Sequence, residues 1–181
     1  MKQKTALIIT ILIIVIGSNL LAEISIPGLV RGGQTIEEKY PDGRIEILGI
    51  HVKGPLVLGQ MLIAIFLSIA FIQSGIDKIV DRKGNIDYFK NQFANSPLSK
   101  VSSIALTLIT VMELTAGGLL AYGVVYAITD QTTMMIFNGL LISSFTLIAL
   151  FFGQRLAKDY DGAATIVLYF ILTMLGIMSM Y

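Results

Sequence analysis

Residues 101–128 read VSSIALTLITVMELTAGGLLAYGVVYAI. One charged residue, Glu113, stands inside an apolar run longer than the roughly 17–25 residues that cross a hydrocarbon core. The excess length predicts a tilt or an extension past the membrane. Backbone polar groups in lipid must be bonded within their own segment, so this run is expected to be helical despite its isoleucine and threonine. Four more segments share its character: Ala6 to Ala22, Pro55 to about Gln73 (broken only by Gln60), Met134 to Phe152 with Asn138 as its main polar residue, and Ala163 to Met180. The fold class expected is an all-α membrane protein with five transmembrane helices.

Composition agrees. The 181 residues are 55% hydrophobic and only 14% charged, with a mean hydropathy of +0.79. A soluble domain carries about 25% charged residues. Lipid must therefore act as solvent for part of the chain. The net charge of +1 gives no polyelectrolyte signal and argues against nucleic-acid partners. There is no cysteine and one histidine, His51. The chain alone thus supplies no disulfide, no iron–sulfur ligand set and no histidine pair for haem. Tryptophan is absent, leaving tyrosine as the interfacial aromatic.

Three regions follow. Residues 1–22 form an amino-terminal helix, read as an uncleaved anchor. Lys2 and Lys4 before an apolar run also describe a secretory signal, but Asn19-Leu20-Leu21-Ala22 is a poor small-x-small cleavage site. Residues 23–54 form an outer loop, and residues 55–181 a four-helix bundle. Lysine and arginine fix the orientation. Nine of them (Lys2, Lys4, Lys78, Arg82, Lys83, Lys90, Lys100, Arg155, Lys158) fall on one side, and Arg31, Lys39, Arg44 and Lys53 on the other. The positive-inside rule puts the amino terminus inside and Tyr181 outside.

In the outer loop Tyr40-Pro41-Asp42-Gly43 fits a turn. Thr35-Ile36 and Ile45-Glu46-Ile47 flank it, predicting a short β-hairpin. In the inner loop Ser74, Asp77, Lys78 and Asp81 continue the second helix, and Gly84-Asn85 is expected to break it. Ile86, Phe89 and Phe93 then space as a short interfacial helix ending before Pro97.

Glu113 is the residue with the greatest chemical interest. An isolated acid at the bilayer centre costs about 2.5–3.5 kcal/mol on insertion scales. It must be protonated, face a cavity or pair with another helix, and it is the candidate catalytic acid. Thr107, Thr110, Gly117 and Ala121 share roughly its face, and Gly117-Gly118 are read as close-packing positions. A second group, Ser74, Asp77 and Lys78, and a third, Gln154, Arg155, Lys158 and Asp159, lie on the inner side. They form an inner polar mouth with ligand-binding potential, and Asp77–Arg155 or Lys78–Asp159 are the natural ion pairs. No metal-ligand pattern, Walker loop, dinucleotide fingerprint or serine nucleophile elbow occurs.

The order of these elements resembles the DoxX family of small bacterial membrane proteins. The residues that carry the resemblance are Gln73-Ser74-Gly75-Ile76-Asp77-Lys78, the Tyr88-Phe89 stretch, Glu113-Leu114-Thr115-Ala116-Gly117-Gly118, and Gly153-Gln154-Arg155 through Asp161-Gly162-Ala163-Ala164. It covers roughly Pro55 to Tyr181, with Gly75, Lys78, Glu113, Gly117 and Gly118 matching the family pattern. The segment Met1 to Gly54 departs from the simplest form of that pattern.

The resemblance implies a four-helix core in a bacterial cytoplasmic (inner) membrane. Family relatives are linked to membrane redox complexes, including a small subunit of a thiosulfate:quinone oxidoreductase. The expected function is thus a subunit of, or accessory to, a quinone-linked membrane oxidoreductase. It would hold no cofactor by itself beyond a bound quinone or lipid, and its partners would be the bilayer and other membrane proteins. The alternative is a non-catalytic scaffold of a larger membrane complex. A small transporter is disfavoured, because there is no inverted repeat and no second intramembrane ionisable residue for a relay.

Overall fold

The computed structural model describes residues 45–47, 50–94, 96, 101–130 and 132–181. The expected helix over Ala6–Ala22, the Tyr40–Gly43 turn, Thr35-Ile36, Pro97 and Lys100 lie outside the described residues. Two short strands, β1 (Ile45–Ile47) and β2 (Ile50–Val52), pair with each other. Only two residues separate them, so they are antiparallel. The hairpin thus uses Ile45–Ile47 as expected, but its described partner strand follows it rather than preceding it.

Five helices come next: α1 (Gly54–Val80), α2 (Arg82–Gln92), α3 (Ser102–Thr129), α4 (Met134–Leu156) and α5 (Tyr160–Met178). All except α2 are long and apolar enough to cross a membrane, and the chain is a multi-pass membrane protein. Pro55 stands at the start of α1, where its missing N–H costs nothing. Hydroxyls in the spans bond back onto their own helices: Thr110 Oγ1 to Leu106 O (2.7 Å), Ser143 Oγ to Gly139 O (2.8 Å) and Thr173 Oγ1 to Tyr169 O (2.8 Å). These three hydroxyls therefore enter the bundle with their hydrogen-bonding capacity used on their own helices.

The long helices run antiparallel to their neighbours in a closed ring, α1 to α3 to α4 to α5 and back to α1. Lipid offers no hydrophobic drive for helix association, so close contact must supply it. A Cβ on Gly117 would stand 2.7 Å from Ile72 Cγ1 and 3.2 Å from Phe71 Cβ. One on Gly123 would stand 2.7 Å from the Ile136 nitrogen. These two glycines bring α3 against α1 and α4. Gly118 does not share this role, because a Cβ there meets nothing within 4 Å and the residue is exposed. Adjacent residues stand about 100° apart around a helix, so both could not face one neighbour. The Glu113 face is also revised: Thr110 and Gly117 are buried with it, whereas Thr107 and Ala121 are exposed.

The break after α1 comes at Asp81, one turn before Gly84-Asn85. Asp81 ends α1 and caps α2 with its carboxylate, accepting from Gly84 N at 3.1 Å. Asn85 Nδ2 donates to Asp81 O (2.8 Å) and Asp77 O (3.3 Å), tying the first turn of α2 to the last turn of α1. A helix can restart this soon because one side chain serves as its N-cap.

Candidate functional site

At the α2 end of the bundle, Glu113 on α3 is 2% exposed and Lys78 on α1 is 13% exposed. Lys78 Nζ lies 2.9 Å from Glu113 Oε2 and 3.0 Å from Oε1. The contact to Oε1 is an aligned hydrogen bond, while Oε2 meets the ammonium by charge alone. Ser74 Oγ donates to Glu113 Oε1 at 3.0 Å and accepts from Lys78 Nζ at 2.6 Å. Each member of the triad thus holds the other two. Ser74 and Lys78 are four residues apart on one helix face, and the antiparallel packing of α1 on α3 brings Glu113 to their level.

Lysines near helix ends usually extend toward the interface. Lys78 instead turns back into the bundle, where the pair removes the cost of a lone buried charge. It is a second ionisable group beside Glu113, which the sequence reading did not place there. Neither of the expected ion pairs forms. Lys78 is held by Glu113 rather than Asp159. Asp77 is exposed, and its backbone oxygen serves the junction with α2. The Arg155 guanidinium lies over the Tyr160 ring, 4.8 Å from its centroid.

Above the triad is a cavity of about 470 Å³, within the roughly 300–1,000 Å³ range of small-molecule sites. Ser74, Lys78 and Glu113 line one end. Phe89 and Phe93 of the α2 region and Ile109 of α3 supply apolar wall, and Gln92 and Gln154 supply amides. Lys78 and Glu113 compensate each other, so the site presents polarity without net charge. The ring edges of Phe89 and Phe93 pack together, with centroids 5.5 Å apart.

The α2 roof is latched by Gln92. Its Nε2 donates to Gln154 Oε1 and to Asp159 Oδ2, each at 3.1 Å. Asp159 is positioned by the turn that ends α4. Lys158 adopts φ 59°, Lys158 N donates to Arg155 O (3.2 Å), and Asp159 N donates to Gln154 O (3.0 Å). These are the paired bonds of a Schellman turn. Asp159 then caps α5 through Gly162 N at 2.9 Å. At the other end of α2, the Arg82 guanidinium donates to Thr107 Oγ1.

Of the residues singled out in the sequence, Ser74, Lys78, Glu113 and Gln154 meet at the cavity. Asp159 supports it from behind, and Asp77 and Arg155 do not line it. The roof residues Asn85, Phe89 and Gln92 were not assigned a site role. Their i, i+4, i+7 spacing puts two amides and an aromatic on one face, which is the signal that marks them. No family model, curated protein or solved structure matches the chain. Its class rests on fold and site: a multi-pass helical membrane protein with a partly apolar cavity ending on a partly buried lysine–serine–glutamate triad.

Proposed function

We propose that the cavity binds the ring of a lipid-soluble quinone, and that the chain is a subunit of, or accessory to, a quinone-linked membrane oxidoreductase. The observation that carries this reading is the neutral Lys78–Glu113 pair at the end of an aromatic-walled cavity. A quinone ring is flat, uncharged and bears carbonyl acceptors. It suits aromatic walls and donors such as the Lys78 ammonium and the Gln92 and Gln154 amides. A phosphate or carboxylate head would meet Glu113, and among the described lining residues Lys78, already paired, is the one cation. The resemblance to the DoxX family supports the same choice.

Reduction of a quinone takes up electrons and protons together. With no cysteine and one histidine, the chain does not furnish an electron carrier by itself. Electrons are assigned to a reduced cofactor in a partner subunit. Two protons accompany the two electrons: Lys78 and Glu113 orient the ring and hold one of them, and water at the α2 end of the bundle supplies the other. Lys78 is the more accessible of the two and touches the ligand, and Glu113 sets its charge and position. The charge map supports this end of the bundle facing the cytoplasm, and the family resemblance implies a bacterial inner membrane.

Mass spectrometry of lipids extracted from protein purified in mild detergent tests the reading. Quinone enriched over the bulk membrane lipids is expected, with the enrichment lost in Lys78→Met. No enrichment in the unaltered protein would remove the reading.

A further inference from the structure

The cavity has a side as well as an end. Leu108 of α3 and Phe152 of α4 both line it, yet they are 59% and 60% exposed. Each continues an outward-facing apolar stripe: Ile104, Leu108 and Val111 on α3, and Phe145, Ile148 and Phe152 on α4. In a membrane-spanning bundle these stripes face hydrocarbon. Because outward-facing residues of both helices line it, the cavity reaches the bundle surface as a gap between α3 and α4, bordered by the small residues Ala105 and Ala149. The end of the cavity toward the interface is covered by α2, latched through Gln92 and Arg82.

We infer that this gap between α3 and α4 is a lateral portal, through which the ligand enters from the bilayer and in which its hydrocarbon tail stays. The inference rests on the quinone reading above and adds a tail to the substrate class. The head meets the Lys78–Glu113 pair, and the tail passes between Ala105 and Ala149 and leaves beside Leu108 and Phe152. Water-soluble, tail-less quinones reach the same head site but gain nothing from the portal.

Because the chain has no tryptophan, a single introduced indole reports locally. Phe152→Trp places it at the portal. Leu168→Trp places it on α5, at a lipid-facing residue that is 69% exposed and does not line the cavity. Both variants, in vesicles, are titrated with a benzoquinone carrying a brominated alkyl tail and with its unbrominated twin. The expected result is saturable quenching, with added quenching by bromine at position 152 and not at 168. Equal bromine quenching at both positions overturns the portal while leaving the quinone reading intact. Absence of saturable quenching by either compound overturns both.

Narrowing the gap with Ala149→Phe is the second arm. Affinity for the tailed compound should fall about tenfold with tail-less affinity unchanged. Equal loss for both compounds, or no loss for either, overturns the portal.

Discussion

The Lys78 ammonium sits within 3.0 Å of both carboxylate oxygens of Glu113, joining α1 to α3 inside a bundle whose surroundings are apolar. Each charge is tolerated because the other is present. Removing one partner of a buried pair strands the other, at a cost of about 3–5 kcal/mol. Lys78→Met and Glu113→Gln should each destabilise the bundle by roughly that amount. The double variant Lys78→Met/Glu113→Gln should recover most of the loss. Denaturant titration in mixed micelles, followed by circular dichroism, checks this. Additive losses would mean that the two charges do not act as a pair.

Gly117 and Gly118 separate close packing from simple small size. Gly117→Leu drives a side chain into Phe71 and Ile72 of α1, and overpacking of this kind costs about 1–3 kcal/mol. Gly118→Leu points into open space and should change stability by no more than about 0.5 kcal/mol. The same unfolding titration compares them.

Four of the five expected segments are described helices, and they were readable because lipid imposes a strict rule on backbone bonding; Ala6–Ala22 lies outside the described residues. Glu113 was readable because an intramembrane acid must be compensated. Its partner was not, since periodicity gives the face of one helix but not the offset between two. Lys78 and Asp159 are both near helix ends with opposite charges, and only the antiparallel register of α1 on α3 brings Glu113 to Lys78 first. The early break at Asp81 was hidden for a similar reason: Gly84 is the conspicuous residue, yet the Asp81 carboxylate decides the junction. The roof residues were missed because an amphipathic stripe at the interface was read for its lipid side alone.

Lys158 holds a left-handed backbone conformation that penalises residues with a Cβ by roughly 1–2 kcal/mol. The Schellman turn it forms sets Asp159 against Gln92. Lys158→Gly should therefore stabilise the protein by about 0.5–1 kcal/mol and leave quinone affinity unchanged. A rise in the thermal unfolding midpoint without a shift in binding checks this prediction.

Gln92 fastens the α2 roof to the α4–α5 turn. Gln92→Ala removes both bonds at an interface position, so global stability should fall by only about 1 kcal/mol. Amide exchange should rise over Arg82–Gln92 and stay unchanged in the long helices, because a latch governs local opening. Hydrogen-exchange mass spectrometry separates these. Exchange rising equally in α3 would show that Gln92 supports the bundle rather than its roof.

The central claim is that the Lys78–Glu113 end of the cavity receives a quinone head, and titration of the Phe152→Trp reporter with a tailed benzoquinone tests it most directly. The account predicts saturable one-to-one quenching. It also predicts that affinity falls about tenfold when Lys78→Met/Glu113→Gln is added to the reporter and helicity is preserved. Superimposable titrations with and without the pair would contradict it.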